Sequence, residues 1–134
     1  MHQILYTSKA LHPFKDDELQ KLLELARFNN SKKSVTGMLL YCNGNFIQLL
    51  EGEKEQLTDL FETISCDRRH IEVKKIIEGE ITKPQFPDWS MGYKSITAQQ
   101  LISLEQHENM DIGNFIRKAQ PFKLLKLLSA KSWN

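Results

Sequence analysis

Cysteine is scarce in this chain. The two that occur, Cys42 and Cys66, share neither a CxxC spacing nor a nearby histidine pattern. This argues against a disulfide framework or a zinc site and leaves two reduced, buried thiols as the expectation. No apolar stretch approaches the roughly 18 residues of a membrane span. The short run behind Met1-His2-Gln3 is also far below the core of a signal peptide, so a cytoplasmic protein with no membrane partner is expected. Neither sign of charge dominates: 18 basic side chains face 17 acidic ones, interspersed, for a net charge of +1. That removes the electrostatic case for nucleic acid or an anionic bilayer. With 134 residues, 40% hydrophobic and 26% charged, the chain has the material for one core and about one domain.

What the chain does have is a hairpin signature at its centre, TGMLLYCNGNFIQLLEG over Thr36 to Gly52. Asn43-Gly44 between two apolar runs suits the paired positive φ angles of a two-residue turn. That turn sets Cys42 opposite Asn45, Tyr41 opposite Phe46 and Leu39 opposite Gln48. Leu39, Tyr41, Phe46, Gln48 and Leu50 then share one side. Gln48 interrupts an otherwise apolar surface, and leaving a buried amide unpaired costs about 1–3 kcal/mol. A polar partner is therefore predicted for it.

Around the hairpin, QILYT over Gln3 to Thr7 reads as a strand with Ile4 and Tyr6 on one face. After a loop, Asp16-Asp17-Glu18 supplies cap and dipole-favoured charges to a helix of about 13 residues, with Leu19, Leu22, Leu23 and Ala26 on its apolar stripe. Asn30 continues that stripe, though the Asn29-Asn30 pair also suits a left-handed helix end. Leu57, Leu60, Phe61 and Ile64 mark a second helix between Gly52 and Cys66. Asp67-Arg68-Arg69-His70 closes it, and taken alone reads equally as a solvated turn with cations near a helix C-terminus. A charged, edge-type strand follows over Ile71 to Ile81, then a loop with Pro84 and Pro87, then a fifth strand over Trp89 to Lys94.

The order βαββαββ predicts an α+β, ferredoxin-like sheet with both helices on one face. Tyr6, Asn30 and Gln48 can then project into the groove between helices and sheet. Ile4, Leu39, Phe46 and Ile64 would line a slot with a few directed polar groups, which suits a planar ligand better than hydrolysis. An acylphosphatase-type site would need a phosphate-cradling loop, and residues 8–15 lack glycines. An RNA-binding sheet would need exposed aromatics and a basic field, and Phe46 is alone in its strand. A non-enzymatic binding module is expected.

Tyr6-Thr7-Ser8 with Ala10, Ala26-Arg27-Phe28-Asn29-Asn30, the hairpin, Asp67-Arg68-Arg69-His70 and Trp89-Ser90-Met91-Gly92 together resemble a BLUF domain over about residues 1–95. The resemblance implies a blue-light sensor binding FAD, with residues 96–134 as a helical extension of the same unit. The flavin ring would lie between the two helices. Asn30 would bond its pyrimidine edge, with Asn29 beside it, and Gln48 would bridge the ring to Tyr6. Arg69 and His70 would reach the cofactor's tail, where an arginine fork suits a diphosphate. Trp89 or Met91 would neighbour Gln48 and relay its state.

The resemblance further implies that light makes Tyr6 give an electron and a proton through Gln48. Their return would leave the amide rotated or tautomerised, with a small red shift in absorption. Helices over Ala98 to Glu105 and Ile112 to Leu128, the second kinked at Pro121, are expected on or near the open face of the sheet. They would carry homo-oligomer contacts or a light-dependent contact with a downstream protein. The alternative function is a flavin or small-ligand regulator indifferent to light.

Overall fold

The computed structural model describes residues 1–42, 44–87 and 90–96. Its elements are β1 (His2–Ala10), α1 (Asp16–Lys32), β2 (Thr36–Cys42), β3 (Asn45–Gly52), α2 (Lys54–Ser65), β4 (His70–Glu80) and β5 (Gly92–Ile96). The strands make one sheet in the order β4-β1-β3-β2-β5. Its first four members pair antiparallel, and β5 joins parallel to β2. This is the ferredoxin-like α+β arrangement, with β4 at one edge as its charged residues suggested. Trp89 and the helices expected over 98–105 and 112–128 lie outside the described residues.

The hairpin has the register that a two-residue turn imposes: Cys42 faces Asn45, Tyr41 faces Phe46 and Leu39 faces Gln48. Gly44 adopts φ of 79°, the left-handed geometry the turn requires. On the helix-facing side, Ile4 and Tyr6 of β1 join Leu39, Phe46 and Leu50 of the hairpin. Leu19 and Leu23 of α1 and Leu57 of α2 close over them. Burying a leucine of this kind contributes on the order of 2 kcal/mol. The opposite side is equally dry, because Leu5, Met38, Leu40, Ile47 and Leu49 are all at 0–1% exposure. The central strands therefore have two apolar faces, and a one-residue slip would exchange Gln48 for a core position on the wrong side.

Two local details depart from the sequence reading at α1. Its N-cap is Lys15, whose backbone N–H donates to the Glu18 carboxylate at 3.2 Å; the three acidic residues occupy the first turn. At the other end the helix runs past Asn29-Asn30 to Lys32, making 17 residues where about 13 were expected. The left-handed residue is Ser34, at φ of 56°. Val35 N–H returns to the Asn30 carbonyl at 2.9 Å, which is the Schellman closure with Ser34 just past the cap. The Asn30 backbone ends the helix, and its side chain is left for another task.

β5 begins at Gly92, three residues later than expected, because neighbouring side chains rather than a strand ladder engage the carbonyls of Ser90 and Met91. Cys66 is exposed, contrary to the buried thiol expected: it caps α2, where the stripe of Leu57, Leu60 and Ile64 has already ended.

One close approach within the hairpin and one buried carboxylate at its end fix its place. Gly37 sits at φ of 154°, and a Cβ there would lie 1.9 Å from the carbonyl oxygen of Leu49. Glu51, at 0% exposure, accepts Thr36 Oγ1 at 3.0 Å, Gln85 N–H at 2.6 Å and Phe86 N–H at 3.1 Å. It thereby pins the segment leading to β5 onto β3. Gly37→Ala should destabilise the fold by about 3 kcal/mol or more, through a backbone clash that no rotamer relieves. Glu51→Ala, which orphans two backbone donors, should cost about 2–4 kcal/mol. Urea denaturation followed by far-UV circular dichroism measures both, and near-neutral values would refute the two contacts' role.

Candidate functional site

Tyr6 and Gln48 face each other across β1 and β3, at 4% and 7% exposure. The partner predicted for the buried amide is this phenol: Tyr6 Oη donates to Gln48 Oε1. The other end of the amide is also satisfied, since Nε2 donates to Met91 Sδ at 3.3 Å. Burial pushes the Tyr6 phenol well above its usual range, and the charge of Asp67 pushes it further. A phenol so firmly protonated has a proton to give, which fixes the amide with its oxygen toward Tyr6 and its NH2 toward sulfur.

Tyr6 and Gln48, but not Met91, line a cavity of about 200 Å³ between α1, α2 and the sheet. Among the expected site residues, Asn29 and Asn30 line it from α1, Leu39, Phe46 and Gln48 from the hairpin, and Ile64 from α2. Arg69, on the turn into β4, and His70, the first residue of β4, also line it. Ile4 does not reach it. One residue pair along the sheet from Tyr6, opposite Leu50, it is wholly buried in the core instead.

Asn30, at 2% exposure, donates its Nδ2 to the Ser90 carbonyl at 2.9 Å. Arg27, one turn earlier, donates Nε to the Met91 carbonyl at 2.9 Å. One face of α1 thus holds the backbone on which Met91 is mounted. The sequence reading gave Arg27 no role, although its spacing of three from Asn30 puts both on one face. Of the two residues expected beside Gln48, Met91 is in contact with it, and Trp89 lies outside the described residues.

At the rim, His70 Nε2 lies 2.6 Å from the Ile64 carbonyl and Nδ1 lies 2.8 Å from Ser8 Oγ. The carbonyl can only accept, so Nε2 carries a proton and the ring is locked edge-on to Tyr6 and Phe46. Asp67 accepts from Arg69 through its backbone N–H at 2.9 Å and through the guanidinium fork at Nε and Nη2. Those bonds hold the Asp67 carboxyl down to about 2. Asp67 also lines the cavity, with Phe14, Leu22, Leu25 and Leu60. Leu22 and Leu60 belong to the apolar stripes that mark the two helices, whereas hydropathy patterning marks neither Phe14, which comes from a loop, nor Leu25, a largely exposed helix residue.

The arrangement fits a planar, polar-edged aromatic ligand. The walls are largely apolar, the amides of Asn30 and Gln48 line the cavity, and so does Arg69 with its partner Asp67. At about 200 Å³ the cavity is below the usual range of about 300–1,000 Å³ for whole ligand sites, which suits a ring system better than a whole dinucleotide. Among the described residues no group of three His, Cys, Asp or Glu side chains could hold a metal. No helix among them is long and apolar enough to cross a membrane.

A family model described as BLUF, sensors of blue-light using FAD, matches residues 1–92. The chain is 34% identical over 89 residues to the photoactivated adenylate cyclase subunit beta of Euglena longa, covering 66% of this chain and 10% of that protein. It thus spans about a tenth of that curated relative's length. Among solved structures it is similar to BlsA in its photo-activated state, with a TM-score of 0.79 and 27% identity over 98% of this chain and 96% of that one. It also resembles Klebsiella pneumoniae BlrP1 with FMN and cyclic diGMP, with a TM-score of 0.67 and 26% identity over 97% of this chain and 34% of that one.

The buried phenol makes stability depend on alkaline pH. The folded state holds the Tyr6 proton above the unfolded value of about 10. Its contribution is complete below pH 10 and is lost as pH rises beyond that. Wild type should therefore lose stability between about pH 10 and 12 relative to Tyr6→Phe, in which this proton is absent. Parallel denaturation curves across that range would refute the assignment.

Proposed function

The chain belongs to the BLUF family of blue-light sensors that use FAD, and from that membership we propose that it turns absorption by a flavin in the α1–α2 cavity into a changed hydrogen bond at Met91. The observation that carries this reading is the continuous relay Tyr6 Oη to Gln48 Oε1, then Gln48 Nε2 to Met91 Sδ. When bound, the flavin supplies the light absorption and, once excited, the oxidising power. Everything else is done by the chain. Asn30 and Gln48 would hold the ring's polar edge, Asn29, Leu39, Phe46 and Ile64 would line its apolar surroundings, and Arg69 and His70 would serve the tail.

Tyr6 is the donor of the relay, because it is buried, protonated and aimed at the amide. Gln48 stores the outcome. Its oxygen and nitrogen ends have nearly the same shape but opposite hydrogen-bonding character. Turning the amide end for end gives Tyr6 an NH2 and presents an oxygen to the Met91 sulfur, which has no proton to offer. The bond to Met91 is then lost, and Met91 is one residue from β5. Because Arg27 and Asn30 hold the carbonyls of Met91 and Ser90, release of the side chain acts on a fixed backbone. The edge strand next to β2 is where the state becomes visible to another protein.

The output is a light-dependent contact with a downstream protein or a second copy of this chain, and the chain acts as a sensor rather than an enzyme. Residues 1–95 form the sensing unit and residues 96–134 its output extension. A cytoplasmic setting suits a soluble partner.

Tyr6→Phe and Gln48→Leu should both bind flavin and both lose the light-induced red shift. Met91→Leu should keep the shift but lose the light-dependent change in amide exchange along β5. Absorption spectra in darkness and after blue illumination test the first pair, and a normal photocycle in either would refute the relay.

A further inference from the structure

Two large apolar side chains of α1 stand in solvent: Leu25 is 56% exposed and Phe28 59%. Three residues apart, they share one face of the helix. Leu22 borders them half-buried, and the rest of that face is Glu18, Lys21, Asn29 and Lys32, all exposed. The stripe points away from the core, which α1 meets through Leu19, Leu23 and Asn30. A single exposed leucine needs no explanation. The order of side chains along this stripe does.

About Leu25 the stripe is its own complement. Glu18 stands seven residues before it and Lys32 seven after, so the three lie nearly on one line, with a drift of about 20° per heptad. Leu22 is three before and Phe28 three after; Lys21 is four before and Asn29 four after. A two-fold axis through Leu25 that lays a second α1 antiparallel on the first sets Leu25 on Leu25, Leu22 on Phe28 twice and Glu18 on Lys32 twice. Lys21 falls opposite an amide, and no like charges meet. A parallel pairing would instead set Glu18 on Glu18 and Lys32 on Lys32, which is repulsive at both ends. The two charged groups are already placed for the antiparallel pairing. Lys32 Nζ lies 4.2 Å from the centre of the Phe28 ring, over the stripe, and Glu18 is tied to the first turn by its bond from Lys15 N–H at 3.2 Å.

We propose that the outer face of α1 is a self-docking surface, on which a second copy of this chain pairs antiparallel across a two-fold axis at Leu25. The helix has 17 residues and is about 25 Å long, so the contact is at the small end of specific interfaces. Association is correspondingly weak, with a dissociation constant on the order of 10–100 μM. Leu22, Leu25 and Asn29 also line the cavity, so the second copy runs along its α1 wall. The pairing itself needs no ligand there, because Glu18, Phe28 and Lys32 lie outside the cavity lining.

The test is sedimentation velocity on the full chain in darkness, over about two decades of concentration around that value. Wild type should pass from monomer to dimer. Phe28→Glu, which puts a carboxylate into the apolar centre of the contact, should weaken the dimer by about tenfold or more. Glu18→Lys and Lys32→Glu each create two like-charge pairs and should each weaken it by about fivefold, more at low salt. An equimolar mixture of these two single variants restores opposite charges at both ends of the axis. It should associate within about twofold of wild type, and no change inside one chain can be undone by mixing. Ile71→Glu, on β4 and 45% exposed in wild type, should leave the dimer unchanged. Far-UV circular dichroism checks that each variant is folded. A wild type that stays monomeric throughout overturns the proposal. So does a dimer indifferent to Phe28→Glu, a dimer that Ile71→Glu weakens equally, or a mixture no tighter than its two components.

Discussion

The structure depends on how a single buried amide is satisfied. Gln48 lies in the middle of the central strand, between Phe46 and Leu50, where an apolar side chain would pack at no electrostatic cost. A carboxamide there must find partners at both ends. Tyr6 provides one from β1 and Met91 the other from the segment entering β5. The two partners differ in strength: a phenol donates a strong bond to the amide oxygen, while a thioether accepts only a weak one from the amide nitrogen. The arrangement favours one orientation, with the amide oxygen toward Tyr6 and the NH2 toward sulfur. A purely apolar core would be firmer and could record nothing.

Around this amide the fold supplies rigidity where it is needed. α1 contributes two side chains, Arg27 and Asn30, that grip consecutive backbone carbonyls next to Met91. The Asn30 backbone meanwhile closes the helix through Val35. Glu51 performs the corresponding task on the opposite side of β3, binding the 85–86 backbone from a fully buried position. The backbone at residues 85–86 and again at 90–91 is thus held by side chains of β3 and α1. A change at the amide meets a backbone held at Ser90 and Met91.

Much of this was legible in the sequence. Asn43-Gly44 between apolar runs set the hairpin register, and the register placed Gln48 with Leu39, Phe46 and Leu50. The βαββαββ order followed from periodicity and turn residues, and it put Tyr6 and Asn30 on the same side as Gln48. Other features could not be read in this way. The end of α1 was misjudged because a Schellman closure is defined by backbone bonds, and Ser34 rather than an asparagine took the left-handed position. Ile4 was assigned to the ligand slot because parity gives the face of a strand but not the depth along it. Cys66 was expected to be buried because composition says nothing of where a helix stops.

The sequence by itself determined which residues share a face, since strand and helix periods are local consequences of backbone geometry. It determined in the same way that a polar group would interrupt the apolar face at position 48. Only the tertiary structure decided which atoms meet. That Met91 takes the nitrogen end of Gln48, that Arg27 and Asn30 grip the 90–91 carbonyls, and that Asp67 spends its charge on Arg69 at the cavity mouth all depend on elements distant in the chain or on side-chain geometry. Their relative placement is fixed by packing on both faces of the sheet, and no local pattern encodes it.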